Sequence, residues 1–176
     1  MTGSRVNDRR ALIWASMRLL AAGGLTTLTG CGFALRQTPE LPFRRLRLDG
    51  FAERSPLAAE LRERLAEGRV QTVSPPQQPE VVLQALVDKR EKRVVASTAV
   101  GQVRELQLRV QFHFRASTPA GRELIPTTEL MLSRDLSYSE TFALAKAQEE
   151  AELYAAMQSD IVQQVLRRLA RIPLKS

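Results

Sequence analysis

The stretch Glu105-Leu106-Gln107-Leu108-Arg109-Val110-Gln111-Phe112-His113-Phe114-Arg115-Ala116 decides the fold. Leu106, Leu108, Val110, Phe112 and Phe114 fall on one parity, and Gln107, Arg109, Gln111, His113 and Arg115 on the other. Successive strand side chains point to opposite faces, so this period of two predicts a strand with one face on a core and one polar face. Downstream, residues 117–122 hold Pro119 and Gly121 and read as a turn. Residues 129–138 form the expected partner strand. A long helix is expected over 142–171, where Ala147, Ala151, Tyr154, Ile161, Val165 and Leu169 recur at helical spacing as a stripe that covers a sheet face.

Upstream, residues 81–87 and 93–98 read as two apolar strands flanking a charged connection, Asp88-Lys89-Arg90-Glu91-Lys92. Ser74-Pro75-Pro76-Gln77-Gln78-Pro79 is too rich in proline for regular structure and reads as a loop. Residues 69–73 suit a short strand, and 43–48 a first strand in which Leu46 and Leu48 alternate with Arg45 and Arg47. Between these two, Ser55-Pro56 is a helix start, with Ser as N-cap and Pro at the first helical position, and Gly68 is the stop. Leu57, Leu61 and Leu65 share one face of that helix, and Glu60 with Arg64 is spaced as a solvated ion pair. Strands bracketed by two helices predict an α+β fold. It is a two-layer sandwich, with a mostly antiparallel or mixed sheet of about four or more strands and both helices on one face. The other face, carrying Arg, Gln and His, is left without an internal cover.

The N-terminus has a different character. Arg5, Arg9 and Arg10 precede a mostly apolar run over 11–28, which Arg18 and Gly23-Gly24 interrupt. An uninterrupted run of about 18 residues is needed for a stable membrane helix, so the pattern is that of a removable signal peptide over residues 1–30. Leu28-Thr29-Gly30-Cys31 matches the lipobox, in which small residues precede a cysteine whose thiol accepts diacylglycerol. Cys31 is the chain's single cysteine. The expected mature protein is therefore one domain, 31–176, bearing N-acyl and S-diacylglycerol lipid on Cys31 and no other cofactor. Two or three acyl chains, at about 0.8 kcal/mol per buried methylene, hold a protein stably on a membrane. Gly32, in place of the Asp that favours inner-membrane retention, directs the expectation to the outer membrane.

The chain has 26 basic and 19 acidic residues. Residues 1–30 hold four Arg and one Asp, which leaves 22 basic and 18 acidic residues in the mature part. This mild excess suits acidic partners such as a phosphorylated glycolipid and an ordinary soluble surface equally well. No nucleic-acid partner is expected. Nor is a reaction: His113 is the single histidine, in the polar register of a regular strand, and the glycines form no phosphate loop. Glu149, Glu150 and Glu152 read as the wet face of the last helix. The chain reads as a binding or assembly module.

Cys31-Gly32-Phe33-Ala34-Leu35-Arg36 resembles the opening of the lipopolysaccharide-assembly lipoprotein family LptE. The similarity continues through Arg134 and Tyr138, Leu144-Ala145-Lys146 with Glu149 or Glu150, Asp160-Ile161, and Leu166-Arg167-Arg168-Leu169. This resemblance implies a small non-catalytic lipoprotein that plugs and helps assemble the large outer-membrane β-barrel LptD and contacts lipopolysaccharide in transit. Arg134 and Lys146 fall in the matching segments and are the first candidates for lipid A phosphates; Arg93, Arg104, Arg109 and Arg115 follow by strand register. Arg offers a bidentate fork to phosphate and Lys a point charge. The alternative is an outer-membrane scaffolding lipoprotein without a barrel partner, acting on peptidoglycan or another envelope assembly. An envelope hydrolase built on Asp135 or Glu140 ranks last.

Overall fold

A computed structural model describes residues 39–173. The signal peptide and Cys31 read from the sequence lie outside the described residues. The elements are β1 (Arg45–Asp49), α1 (Pro56–Glu67), β2 (Gln71–Thr72), β3 (Val81–Ser97), β4 (Val103–Ser117), β5 (Glu123–Ser137), a single 3-10 turn (Glu140–Phe142) and α2 (Ala143–Leu169). The strands form one mixed sheet in the order β2-β1-β3-β4-β5. β1 is parallel to β2 and β3, as a β-α-β unit through α1 requires, and β3-β4-β5 is an antiparallel meander. Both helices pack on the same face, as the α+β reading predicts.

The alternation of β4 sets the core. Leu108, Phe112, Phe114 and Ala116 are fully buried, and Leu106 and Val110 nearly so. Phe112 stacks on Phe114 at 5.3 Å and on Phe51 at 5.7 Å between ring centroids. Leu57, Leu61 and Leu65 of α1 and Ile161, Val165 and Leu169 of α2 close the same cluster. Burying each such side chain contributes about 1.5–3 kcal/mol.

Local chemistry places the ends of α1. Ser55 Oγ accepts a hydrogen bond from the Ala58 N–H at 3.0 Å, the N-cap that the sequence calls for. At the other end Gly68 is the C-cap, yet the left-handed residue is Arg69, with φ +60°. Arg69 N–H reaches Ala66 O at 2.9 Å and Val70 N–H reaches Leu65 O at 2.8 Å. This is a Schellman closure with arginine where glycine is favoured, a substitution that costs roughly 1 kcal/mol.

Several boundaries differ from the sequence reading. Residues 81–97 form one strand, and the charged segment 88–92 lies inside it. The reason is that its charges have partners on both faces: Asp88 accepts from Ser55 Oγ, Lys92 pairs with Glu150 at 3.0 Å, and Lys89 pairs with Glu91 at 2.6 Å. Glu150 is thus no mere wet-face residue. β5 begins at Glu123, six residues before the expected start, and β2 shrinks to two residues. Glu60 bonds not with Arg64 but with Gln158 Nε2 at 2.7 Å, while Arg64 turns to Glu67. Gln158, 8% exposed, also donates to Pro56 O at 3.1 Å and accepts from Arg90. One buried amide therefore ties α1, α2 and β3 together. The α2 stripe is used over half its length: Ile161, Val165 and Leu169 are buried, whereas Ala147 and Ala151 are exposed.

Two glycines separate strain from contact. Gly50 and Gly101 have φ +77° and +81°; a Cβ on Gly50 would lie 2.2 Å from Ala85 O, and one on Gly101 would meet nothing within 4 Å. Gly101→Ala is expected to cost about 1 kcal/mol, the backbone term alone, and Gly50→Ala roughly 2 kcal/mol or more beyond it, because β3 itself must move. Equal losses in chemical denaturation would contradict this account of Gly50.

Candidate functional site

The parallel pairing of β1 with β3 ends at Asp49 and Gln84. Beyond it β3, β4 and β5 continue as a three-stranded ribbon to the turn at residues 98–102, crossed on one face by the N-terminal half of α2. Register assigns the paired side chains of this ribbon to a face, because directly paired residues share one; Leu86 and Val95, at irregularities of β3, fall outside it.

On the open face the rows are Val87-His113-Glu129, Lys89-Gln111-Met131, Glu91-Arg109-Ser133 and Arg93-Gln107-Asp135. Arg115 lies beside Gln84 and donates to its Oε1 at 2.8 Å. Arg109 Nη2 donates to Gln107 Oε1 at 3.3 Å, and Gln107 Nε2 to Asp135 Oδ1 at 3.1 Å. His113 Nε2 stands 3.1 Å from Glu129 Oε1, near enough for an ion pair when protonated but without hydrogen-bond alignment. The hydrogen bond and charge of Lys89 hold the Glu91 carboxyl below its usual range, with help from Arg93 and Arg109. Cations and anions are interleaved here; Arg115 and Asp135 are tied across strands, Lys89 with Glu91 and Arg109 with Gln107 within one. Such a face suits contact with a polar wall more than capture of a concentrated phosphate.

The helix-side rows differ: Arg90-Val110-Leu132, Lys92-Leu108-Arg134 and Val94-Leu106-Leu136. An apolar centre is flanked by cations. Arg90 is held by Gln158 and lies 5.4 Å over the Tyr154 ring, and Lys92 is held by Glu150. Tyr154 Oη donates to Glu91 O at 2.7 Å, and burial, with Glu150 nearby, raises its pKa above the ordinary tyrosine value. Arg90, Lys92, Ala147, Glu150, Ala151 and Tyr154 line an open cleft of about 390 Å³. Arg90 and Lys92 were not legible as helix-side cations, since a segment read as a connection has no register.

The structure divides the six candidate basic residues. Arg93, Arg109 and Arg115 lie on the open face. Arg134 and Lys146 come to the junction of β5 and α2: Lys146 Nζ bonds Ser137 Oγ at 3.0 Å and Glu149 at 2.8 Å, while Arg134, exposed, donates only to Ser133 O at 2.9 Å among the described residues. Arg104 is exposed nearby, in a pocket of about 220 Å³ with Gln102, Val103 and residues 139–141. The same end of the molecule exposes Val94, Val95, Val100, Phe142 and Leu144, with Val100 82% and Leu144 88% accessible. Apolar exposure concentrated beside cations is the surface expected for an amphiphile with acyl chains and an anionic head. Among the described residues no group of His, Cys, Asp or Glu is placed to hold a metal ion, and no helix is long and apolar enough to cross a membrane.

Comparison with protein families matches residues 43–169 to the family described as LptE, lipopolysaccharide-assembly. Among solved structures, the chain is similar to lipoprotein B from Nitrosomonas europaea, with 33% identity and TM-score 0.65 over 79% of this chain and 90% of that one. The rare lipoprotein B from Shewanella oneidensis is 26% identical, with TM-score 0.60 over 72% and 94%. A minor lipoprotein from Acinetobacter baumannii, 22% identical with TM-score 0.60 over 77% and 98%, shares the fold. Comparison with curated proteins gives no match.

Because the Tyr154 pKa is raised on folding, its stabilising contribution is complete below the ordinary value of about 10 and is lost as pH rises through the folded value. Tyr154→Phe is expected to cost about 1 kcal/mol near neutrality through the lost bond to Glu91, and to flatten the alkaline limb of stability against pH. Denaturation series at rising pH check both; an unchanged alkaline limb would remove Tyr154 as its cause.

Proposed function

We propose that this chain, which belongs to the lipopolysaccharide-assembly LptE family, is an outer-membrane lipoprotein anchored by acyl chains on Cys31 that binds lipopolysaccharide and a β-barrel of the LptD type. It acts by binding, without catalysis. The observation that carries the glycolipid part is the far end of the ribbon, where Arg104, Arg134 and Lys146 stand beside exposed Val100, Phe142 and Leu144. An acyl-bearing phosphorylated sugar needs both kinds of surface within one contact. Arg134 is the best placed for a bidentate grip, having no carboxylate partner among the described residues. Lys146, held by Ser137 and Glu149, supplies a positioned point charge.

The open face supports the barrel part of the reading. Its half-buried, cross-linked polar side chains present paired charges of both signs, which suits a wall of alternating polar groups inside a wide barrel. Arg93, Arg109 and Arg115 then serve the barrel interface in preference to lipid A.

Two measurements separate these assignments. Charge reversal at Arg134 and Lys146 is expected to weaken lipopolysaccharide binding at least about tenfold, two charge-assisted contacts being removed. Reversal at Arg109 and Arg115 should leave that binding within about twofold and reduce recovery of a large barrel with the tagged protein from detergent-solubilised outer membrane. Recovery of the lipoprotein with no barrel under mild detergent would favour the scaffolding alternative.

A further inference from the structure

The opposite end of the molecule has a chemistry that the functions above do not use. There the chain enters the domain, through Pro39, Glu40 and Leu41. These three residues share an open cavity of about 350 Å³ with Arg44, Glu67, Gly68 and Arg69. Arg69 also lines an adjoining cavity of about 620 Å³, together with Arg62 and Gln77. Arg44, Arg62 and Arg69 are all exposed. None of the three guanidinium groups takes part in an ion pair or side-chain hydrogen bond found among the described residues, whereas Arg45 is paired with Glu80 and Arg64 with Glu67. Arg69 moreover occupies a left-handed position that glycine would hold without strain. A cation at a backbone position that glycine would hold at less cost points to a role for the charge. α2 runs back along the sheet to finish at this end, adding Arg167 and Arg171, both exposed.

We infer that this arginine-bearing end docks on the anionic phospholipid headgroups of the membrane that holds the lipid anchor. The inference rests on the reading of Cys31 as the anchor. Pro39 is eight residue steps from Cys31, a reach of at most about 29 Å, so the anchored domain stays close to the bilayer surface. Acyl chains fix the protein to the membrane without fixing its orientation. A second, electrostatic contact does so, each basic side chain at an anionic surface strengthening the contact about fivefold. Glu40 and Glu67 in the same cavity oppose that field, which makes the contact reversible and sensitive to salt. The occupant is phospholipid rather than glycolipid, because among the described residues no exposed large apolar side chain lies beside these arginines to receive an extra acyl chain.

Cys31 is the chain's single cysteine, so an introduced thiol is a unique labelling site once Cys31 carries lipid. The lipidated protein, labelled at Ala66→Cys or Val100→Cys, is incorporated into phosphatidylcholine vesicles with or without phosphatidylglycerol, and energy transfer to headgroup-labelled lipid is read. Transfer from position 66 is expected to rise with phosphatidylglycerol and to fall back in high salt, while that from position 100 changes little. Arg44→Gln, Arg62→Gln and Arg69→Gln together should lower the docking equilibrium about a hundredfold and abolish the lipid dependence. Arg69→Gly should raise the thermal midpoint and weaken docking about fivefold, an opposition that a purely structural Arg69 would not produce. Transfer independent of phosphatidylglycerol and of salt would overturn the inference, as would a rise seen with added lipopolysaccharide and not with phosphatidylglycerol. Failure of the anchor reading is seen separately, as loss of flotation with pure phosphatidylcholine vesicles. A protein that then binds only phosphatidylglycerol vesicles, through the three arginines, would still support the docking surface.

Discussion

β4 has one side that must be dry. Leu106, Leu108, Val110, Phe112, Phe114 and Ala116 are buried along its whole length, and its two neighbours are held antiparallel in a register that keeps their own apolar side chains on that side. A slip of one residue in either pairing would turn an entire apolar set toward water, so the register is strongly specified. Both helices are drawn to this face because no other surface of the sheet offers a continuous apolar patch. The opposite face is closed by bonds between its own polar side chains, Arg115 to Gln84 and Arg109 through Gln107 to Asp135.

A second constraint is the inequality of strand lengths. β1 has five residues and β3 seventeen, so among the described residues most of β3 lacks a partner strand on its outer edge. Helix-side charges replace the missing strand. Asp88 meets the N-cap serine of α1, Arg90 meets Gln158 and Tyr154, and Lys92 meets Glu150. A long edge strand is an invitation to unwanted pairing, and charged side chains turned inward discourage it. On the other edge the exposed Arg134 interrupts the apolar register of β5 between Leu132 and Leu136. Stability and a basic surface thus come from the same residues.

The result is an elongated arrangement of chemistry on a small sheet. One end pairs cations with exposed valine, phenylalanine and leucine; the other, where the chain enters, carries arginines beside which no large apolar side chain is exposed among the described residues. Between them lies a face of balanced polar contacts. The three surfaces proposed above, for an amphiphile, for a bilayer surface and for a protein wall, are thus separate on this sheet.

Local pattern alone determined a good part of this. Strict alternation marked β4 and its buried side, Ser55-Pro56 marked the start of α1, and the proline cluster marked the loop before β3, since each depends on neighbours in sequence and on backbone sterics. The resemblance to the LptE family, which the match over residues 43–169 bears out, was legible in short segments such as Leu144-Ala145-Lys146 and Leu166-Arg167-Arg168-Leu169. Tertiary structure decided whatever depends on residues distant in the chain. The charged segment 88–92 is strand because Ser55, Gln158 and Glu150 come to it from two helices, so no window around it could reveal the fact. Glu60, spaced for Arg64, turns to Gln158 because a buried amide demands its partners more than an exposed ion pair does. The division of the basic residues between the open face, the far end and the end where the chain enters follows from pairing register and helix direction. Those are set by burying one side of β4, and they come into being only when the whole sheet assembles.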